Sequence, residues 1–318
     1  MIRRFVLAAD QTRERVDKVL ARLLPEVTRA TVQRWIGEGR VRINGEPCRA
    51  RALVAAGTVL EVEPGSTPLS RAEPDPSVVL SVLFEDAHLV VVDKPAGLVV
   101  HPARGHRGGT LVNGLLARPG FRRPPADPRD PEGALRPGVV QRLDKDTSGL
   151  LVVAKDDRTR EGLKRQLAVH RVERAYLALT RGVPTEQTID TWHGRDPRSR
   201  LRFSSRVTRG RRAVTHVTVV EALAEGRAAL VRCRLETGRT HQIRVHLAER
   251  AGTPVLADAL YGHPAPDERL DRVAAELGRH ALHAAVLGFV HPVTGKAHRF
   301  EVPLPPELQS ALERLRVR

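Results

Sequence analysis

Apolar residues recur at helical spacing near the start of the chain. In TRERVDKVLARLLPE (12–26), Val16, Val19, Leu20, Leu23 and Leu24 fall at i, i+3, i+4 and i+7, which predicts a helix with one buried face. A second helix is predicted over ATVQRWIGEG (30–39), with Thr28 as N-cap and Gly37 or Gly39 closing it. VRI (41–43), Asn44-Gly45 and TVLEVE (58–63) then predict a small sheet with an Asn-Gly turn. PGSTPLSRAEPDPS (64–77) has no apolar rhythm and is rich in Pro, Ser and Gly, as linkers are. The expected organisation is a small α+β module over 1–65, a linker over 66–77, and one larger domain over 78–318.

In that larger domain strands dominate. VVLSVLF, HLVVVDK, GLVVHP, LLVVAK, RAYLALTRG, AVTHVTVVEAL, AALVRCRLE, HAAVLGFVH and HRFEVPL are all predicted strands, with helices near 109–117, 157–168, 240–250 and 305–315. The order is not a regular alternation of strand and helix, which argues against a doubly wound parallel sheet. A mixed, mainly antiparallel sheet with flanking helices is expected, so the fold class is α+β. RPGFRRPPADPRDPEGALRP (118–137) is Pro-rich and is predicted to be a surface loop. There are no internal repeats.

Composition narrows the function. No run approaches 18 apolar residues, so no membrane helix is expected. The five-residue apolar run in MIRRFVLAADQTRER is too short for a secretory signal. Two distant cysteines, Cys48 and Cys233, exclude a disulfide framework or a multi-cysteine metal site and suit a reducing cytoplasm. Aromatics are only 3% of residues, so the core must be Val, Leu and Ala. The net charge is +16, and only six of the 53 cations are Lys. Bias toward arginine codons is one reading of this. The dense stretches RDPRSRLRF (195–203) and RVTRGRR (206–212) favour a polyanionic partner instead, because guanidinium groups fork onto phosphates and release their counterions.

Three stretches carry candidate chemistry. QRLDKDTSGLLVVAKD (141–156) sets Asp144 between Arg142 and Lys145, just before an apolar run. DTSG is also an ordinary turn sequence. A cation beside a carboxylate favours its charged form, and such a carboxylate can attack or stabilise an anomeric carbon. ETGRTHQIRVHLAERAG (236–252) predicts a helix with Thr240 as N-cap, Gly252 as C-cap, Ile243 and Leu247 facing inward, and Arg239 at its mouth. His241 and His246 are five apart, off one helical face, which argues against a metal pair. RVERAYLALTRG (171–182) holds Tyr176, one of only two tyrosines, suited to core filling or to stacking on a base.

Taken in order, PGVVQRLDKDTSGLLVVAKD, RAYLAL and LETGRTHQIRVHL resemble the signature motifs of the RluA family of pseudouridine synthases. VVVDKPAGLVVHPARGHRGGTLVNGLL, GRDPRSRLRF, VLADALYG and HALHA with FVHPVTG extend the likeness over nearly all of 78–306, most closely to the RluD branch, which modifies large-subunit (23S) ribosomal RNA. RVDKVLA, Gln33, GRVRING and VAAGTVLEV in residues 12–63 resemble the alpha-L RNA-binding domain. The chain departs from the family at Gln141, where His is usual. The resemblance implies isomerisation of uridine to pseudouridine in RNA, with no cofactor and no metal, by a cytoplasmic monomer that meets RNA and no membrane. It makes Asp144 the catalytic carboxylate, Arg239 the cation paired with it, and Tyr176 the ring that stacks on uracil and relays a proton. Ile243 walls the base, and Arg142 enters the RNA where the base leaves. Whether Asp144 attacks the sugar, attacks the base or removes a ribose proton is left open.

Two rivals are weaker. LDKDTSG resembles the loop of haloacid-dehalogenase-type phosphotransferases, but there the strand precedes the loop, whereas here the apolar run follows it. A non-catalytic ribosomal RNA binder or assembly factor would have been favoured by loss of Asp144, which is present.

Overall fold

The computed structural model describes residues 2–25, 27, 29–64, 72–102, 106, 108–121, 135–199, 201–262 and 267–317. The chain divides into two compact units, residues 1–71 and 72–318. The predicted cap Thr28, residues 65–71 of the linker and 122–134 of the Pro-rich loop lie outside the described residues.

The first unit contains β1 (Arg3–Val6), β2 (Glu14–Arg15), α1 (Val16–Leu23), α2 (Arg29–Gly37), β3 (Val41–Ile43), β4 (Glu46–Pro47), β5 (Leu53–Val54) and β6 (Val59–Val62). Its sheet runs β1-β6-β3-β4, with β2 and β5 paired separately. Asn44 and Gly45 join β3 to β4 with φ of 51° and 86°, the left-handed pair a two-residue hairpin turn requires. Val16, Val19, Leu20 and Leu24 pack on Val32, Trp35 and Leu60, whereas Leu23 is exposed. Asp17 is fully buried on α1. Burial opposes its charge, but hydrogen bonds from Gln33, Arg15 and Arg29 override that and hold its pKa at about 2.

The second unit contains β7 (Ser81–Glu85), β8 (Leu89–Lys94), α3 (Leu111–Leu116), β9 (Ser148–Ala154), α4 (Asp157–Ala168), β10 (Glu173–Arg181), β11 (Gln187–Arg195), β12 (Phe203–Ser204), β13 (Arg211–Leu223) and β14 (Ala228–Leu235). It continues with α5 (Gln242–Glu249), α6 (Glu268–Leu277), β15 (Leu282–Val290), β16 (Ala297–Glu301) and α7 (Pro306–Arg316). Ten strands form one sheet in the order β12-β11-β13-β14-β10-β15-β9-β8-β7, with β16 added on β15. Among the described pairings only β9 with β15 is parallel, so the sheet is mixed and mainly antiparallel. β9 is buried along its whole length and β15 along all but its last residue, Val290, as strands covered on both faces are.

Some expectations are corrected. GLVVHP (97–102) is not a strand. The carbonyls of Val99 and Val100 accept the N–H groups of Leu111 and Val112, two of the orphan donors at the start of α3. Residues 187–195 and 268–277, given no element by the apolar pattern, form β11 and α6. β11 buries only Ile189 and His193, and α6 only Leu270 and Val273, too few for a clear rhythm. Residues 72–77 pack on the second unit rather than linking. Ala72 joins its core, Asp75 N–H bonds the Asn113 carbonyl, and Asn113 Nδ2 bonds the Glu73 carbonyl.

Candidate active site

The loop carrying Asp144 is fastened from four directions. Lys94, fully buried at the end of β8, donates Nζ to the carbonyls of Pro95, Leu98 and Lys145 at 2.8, 2.8 and 2.9 Å. Burial drives its pKa down to about 7, against the pull of Asp146 and Asp144. Thr147 Oγ1 shares a 2.7 Å hydrogen bond with His280 Nε2, and Ser148 Oγ a 2.9 Å bond with His283 Nδ1. Burial holds both imidazoles at a pKa of about 4, so they are neutral at pH 7. Arg279 Nη1 donates to the Asp146 carbonyl at 2.9 Å. Gly149, with φ +110°, lies so close to β15 that a Cβ would meet the Ala284 carbonyl oxygen at 2.3 Å. The Thr-Ser-Gly sequence therefore docks β9 on β15 and sets the position of the carboxylate five residues earlier.

The cation at Asp144 is Arg244 on α5, not Arg239. Arg244 Nη1 donates to Asp144 Oδ2 at 2.9 Å, while Nε and Nη2 fork onto Asp258 at 2.7 and 2.8 Å. Burial works against the Arg244 charge, but Asp258 and then Asp144 more than offset it, and its pKa is raised. Burial likewise opposes the charge of Asp258, whose pKa is nonetheless lowered by the Arg244 fork and by the Leu260 and Tyr261 N–H groups. One guanidinium is thus anchored by one carboxylate and aims a second. The chain enters α5 through His241, which adopts left-handed backbone angles (φ 57°, ψ 20°), so His241 and not Thr240 holds the N-cap position. Its Nδ1 lies 2.9 Å from the Tyr261 hydroxyl, which also accepts the Phe203 N–H, and its Nε2 is 3.8 Å from Asp144 Oδ2. Burial lowers the His241 pKa despite the pull of Asp144, so the ring is neutral at pH 7.

Asp144 lies where two cavities meet. A cleft of about 820 Å³ and a smaller pocket of about 50 Å³ are both lined by Arg142, Asp144, Tyr176, Leu235 and Arg239. Tyr176 is buried on β10, where the register with β15 slips between Ala175 and Tyr176. Burial raises its pKa, and Arg174 opposes the shift, leaving the hydroxyl protonated at pH 7. Ile243, on α5, walls the smaller pocket and Gln141 the larger. Arg142 is exposed and bonds Thr240 Oγ1 at 3.1 Å, tying the Asp144 loop to the entry of α5. Arg239 lines both cavities, but its Nε donates to the Arg212 carbonyl at 3.0 Å. His246 bonds Thr191 and Thr215, far in role from His241, and no group of three or more His, Cys, Asp or Glu among the described residues could hold a metal ion. Part of the Arg-rich stretch is structural, since Arg202 lies over the Tyr261 ring and Arg212 forks onto Asp190.

A guarded carboxylate and a buried tyrosine in a basic, nucleotide-sized cleft mark an enzyme acting on a polyanion. Residues 88–249 match the RNA pseudouridylate synthase family and residues 14–60 the S4 domain, and the chain belongs to that synthase family, an isomerase family. It is 43% identical to the uncharacterized RNA pseudouridine synthase YlyB of Bacillus subtilis, over 96% of both chains. It is 42% identical to ribosomal large subunit pseudouridine synthase D of Neisseria meningitidis serogroup B, over 95% of this chain and 79% of that one. Among solved structures, human RNA pseudouridylate synthase domain containing 4 is 26% identical with a TM-score of 0.54, over 74% of this chain and 92% of its own. No helix among the described residues is long and apolar enough to cross a membrane.

Proposed function

We propose that this chain converts specific uridines of large-subunit (23S) ribosomal RNA to pseudouridine, with Asp144 as the catalytic carboxylate. The observation that carries it is the Asp144–Arg244 pair at the junction of the two cavities, beside Tyr176. The reaction breaks the bond from N1 of uracil to the ribose C1′ and joins C5 to the same carbon. The C5 proton is lost and N1 gains one, so the change is redox-neutral and needs no cofactor. Arg244 and His241 both approach Oδ2 of Asp144, which leaves Oδ1 as the oxygen offered to the target nucleoside. Ile243 and Tyr176 hold the detached uracil while it turns. Arg142, exposed at the mouth, fills the gap left by the extruded base, an extrusion that costs a few kcal/mol. Arg239 contributes charge at the cleft rather than aiming Asp144. The S4 domain adds phosphate contacts, and the protein works as a cytoplasmic monomer.

Mapping pseudouridines in ribosomal RNA from cells lacking the chain should show specific large-subunit positions reverting to uridine. An unchanged map would overturn the assignment of substrate. Tyr176 carries a second expected result. Its neutral hydroxyl suits a relay that takes the C5 proton as it hands on its own, so Tyr176→Phe should slow turnover by about 10²–10³-fold while RNA affinity stays within about twofold. Single-turnover rates on saturating enzyme check this, and a Phe variant at the wild-type rate would reduce Tyr176 to a stacking surface.

A further inference from the structure

Two residues before Tyr176 on β10 stands Arg174, a cation with no role so far. It is 6% exposed and lines the larger cleft. Its Nη2 donates to the Glu236 carbonyl at 2.7 Å, while its buried Nε has no acceptor among the described residues. No carboxylate among the described residues pairs with it. Arg244, equally buried, holds two. A buried charge left without a counter-charge is costly, and native structures seldom keep one without a use. Burial, then the nearby Arg239, lowers its pKa. The backbone has been cleared for it as well, since a Cβ at Gly238 would lie 2.7 Å from Arg174 Nη1. Around it the same cleft is lined by Arg142, Lys164, Arg211 and Arg239, with Asp144 the sole carboxylate among the lining residues.

We propose that Arg174 is the anchor of a phosphate subsite, one that grips a backbone phosphodiester of the nucleotide whose base reaches Tyr176. A phosphodiester carries one negative charge on two free oxygens, which a guanidinium fork matches in geometry and neutralises in charge. The cleft supplies five cations against one carboxylate, so an anion is the class of ligand it fits. Binding the phosphate next to the reacting nucleoside fixes the ribose against Asp144 with a contact that does not depend on base identity. This rests on the RNA reading above.

The test is equilibrium binding by the full-length protein of uridine, uridine 3′,5′-bisphosphate and inorganic phosphate, each titrated separately. Wild type should bind the bisphosphate at least about tenfold more tightly than uridine, the worth of one charge-assisted hydrogen-bonded contact. Arg174→Met should cut that preference to about twofold without changing uridine affinity, and Arg174→Lys should restore part of it. Gly238→Ala, which keeps Arg174 but crowds its guanidinium, should also weaken the bisphosphate selectively and guards against misfolding of the Met variant. An undiminished preference in both folded variants overturns the subsite, as does inorganic phosphate binding as tightly as the bisphosphate. Because the readout is binding, it stands or falls apart from turnover. A bisphosphate preference that depends on Arg174 supports the subsite even in a protein that makes no pseudouridine, while pseudouridine formation without that preference sinks the subsite alone.

Discussion

Asp144→Asn abolishes pseudouridine formation, lowering single-turnover rates by more than about 10⁴-fold, the scale seen when a nucleophile is removed. RNA affinity stays within about threefold, because phosphate contacts dominate binding and the substitution removes none of them. Asparagine is nearly isosteric, and the fastenings of the loop by Lys94, His280, His283 and Arg279 do not touch the carboxylate, so the fold is preserved. Filter binding and single-turnover assays on the same preparation check both halves. Substantial turnover by the purified Asn variant would remove Asp144 from the chemistry.

Arg244 gives the second large effect, and it separates this site from one built on Arg239. Arg244→Met leaves Asp258, which is 4% exposed, without its cation. Stranding a buried partner in this way costs about 3–5 kcal/mol. In a domain of this size that lowers the melting temperature by roughly 6–20 °C, and turnover by the folded fraction should fall by about 10³-fold or more as Asp144 loses its guide. Arg244→Lys keeps the charge but cannot reach Asp144 and fork onto Asp258 together, so it should retain partial activity and a smaller thermal defect. Arg239→Met should leave the melting temperature within about 1 °C and act chiefly on RNA affinity. Thermal melts with single-turnover kinetics on the three variants decide the matter. A severe catalytic defect in Arg239→Met beside a mild one in Arg244→Met would reverse the two roles.

How far the sequence revealed this site can be judged residue by residue. The place of Asp144 was legible because charge gathers there before an apolar run, and the run does become a fully buried strand. Helix α4 (Asp157–Ala168) forms where the sequence placed a helix, over 157–168. The choice between Arg239 and Arg244 was not. Both lie in one short stretch, and a buried arginine on a helix breaks the expectation that charges face water. Its anchor, Asp258, is 14 residues away in a segment without periodicity. The left-handed residue His241 moved the helix start past Thr240, while Ile243 and Leu247 face inward as expected. Lys94 was visible in DKPAG, but only the fold shows that it clasps the Lys145 carbonyl 51 residues on. Thr-Ser-Gly looked like a turn, and its second use, bringing β9 against β15, is a tertiary contact with no local signature.

The central claim is that the chain itself isomerises uridine in ribosomal RNA. The most direct measurement is tritium release from 23S ribosomal RNA transcribed with uridine labelled at C5, incubated with the purified protein. Each conversion expels the C5 hydrogen, so wild type should release label to a plateau matching a small whole number of sites per transcript, with pseudouridine recovered in equal amount and none released by Asp144→Asn. Absence of release and of pseudouridine with wild-type protein that binds the transcript, both naked and in ribosomal particles, would contradict it and favour a non-catalytic RNA binder.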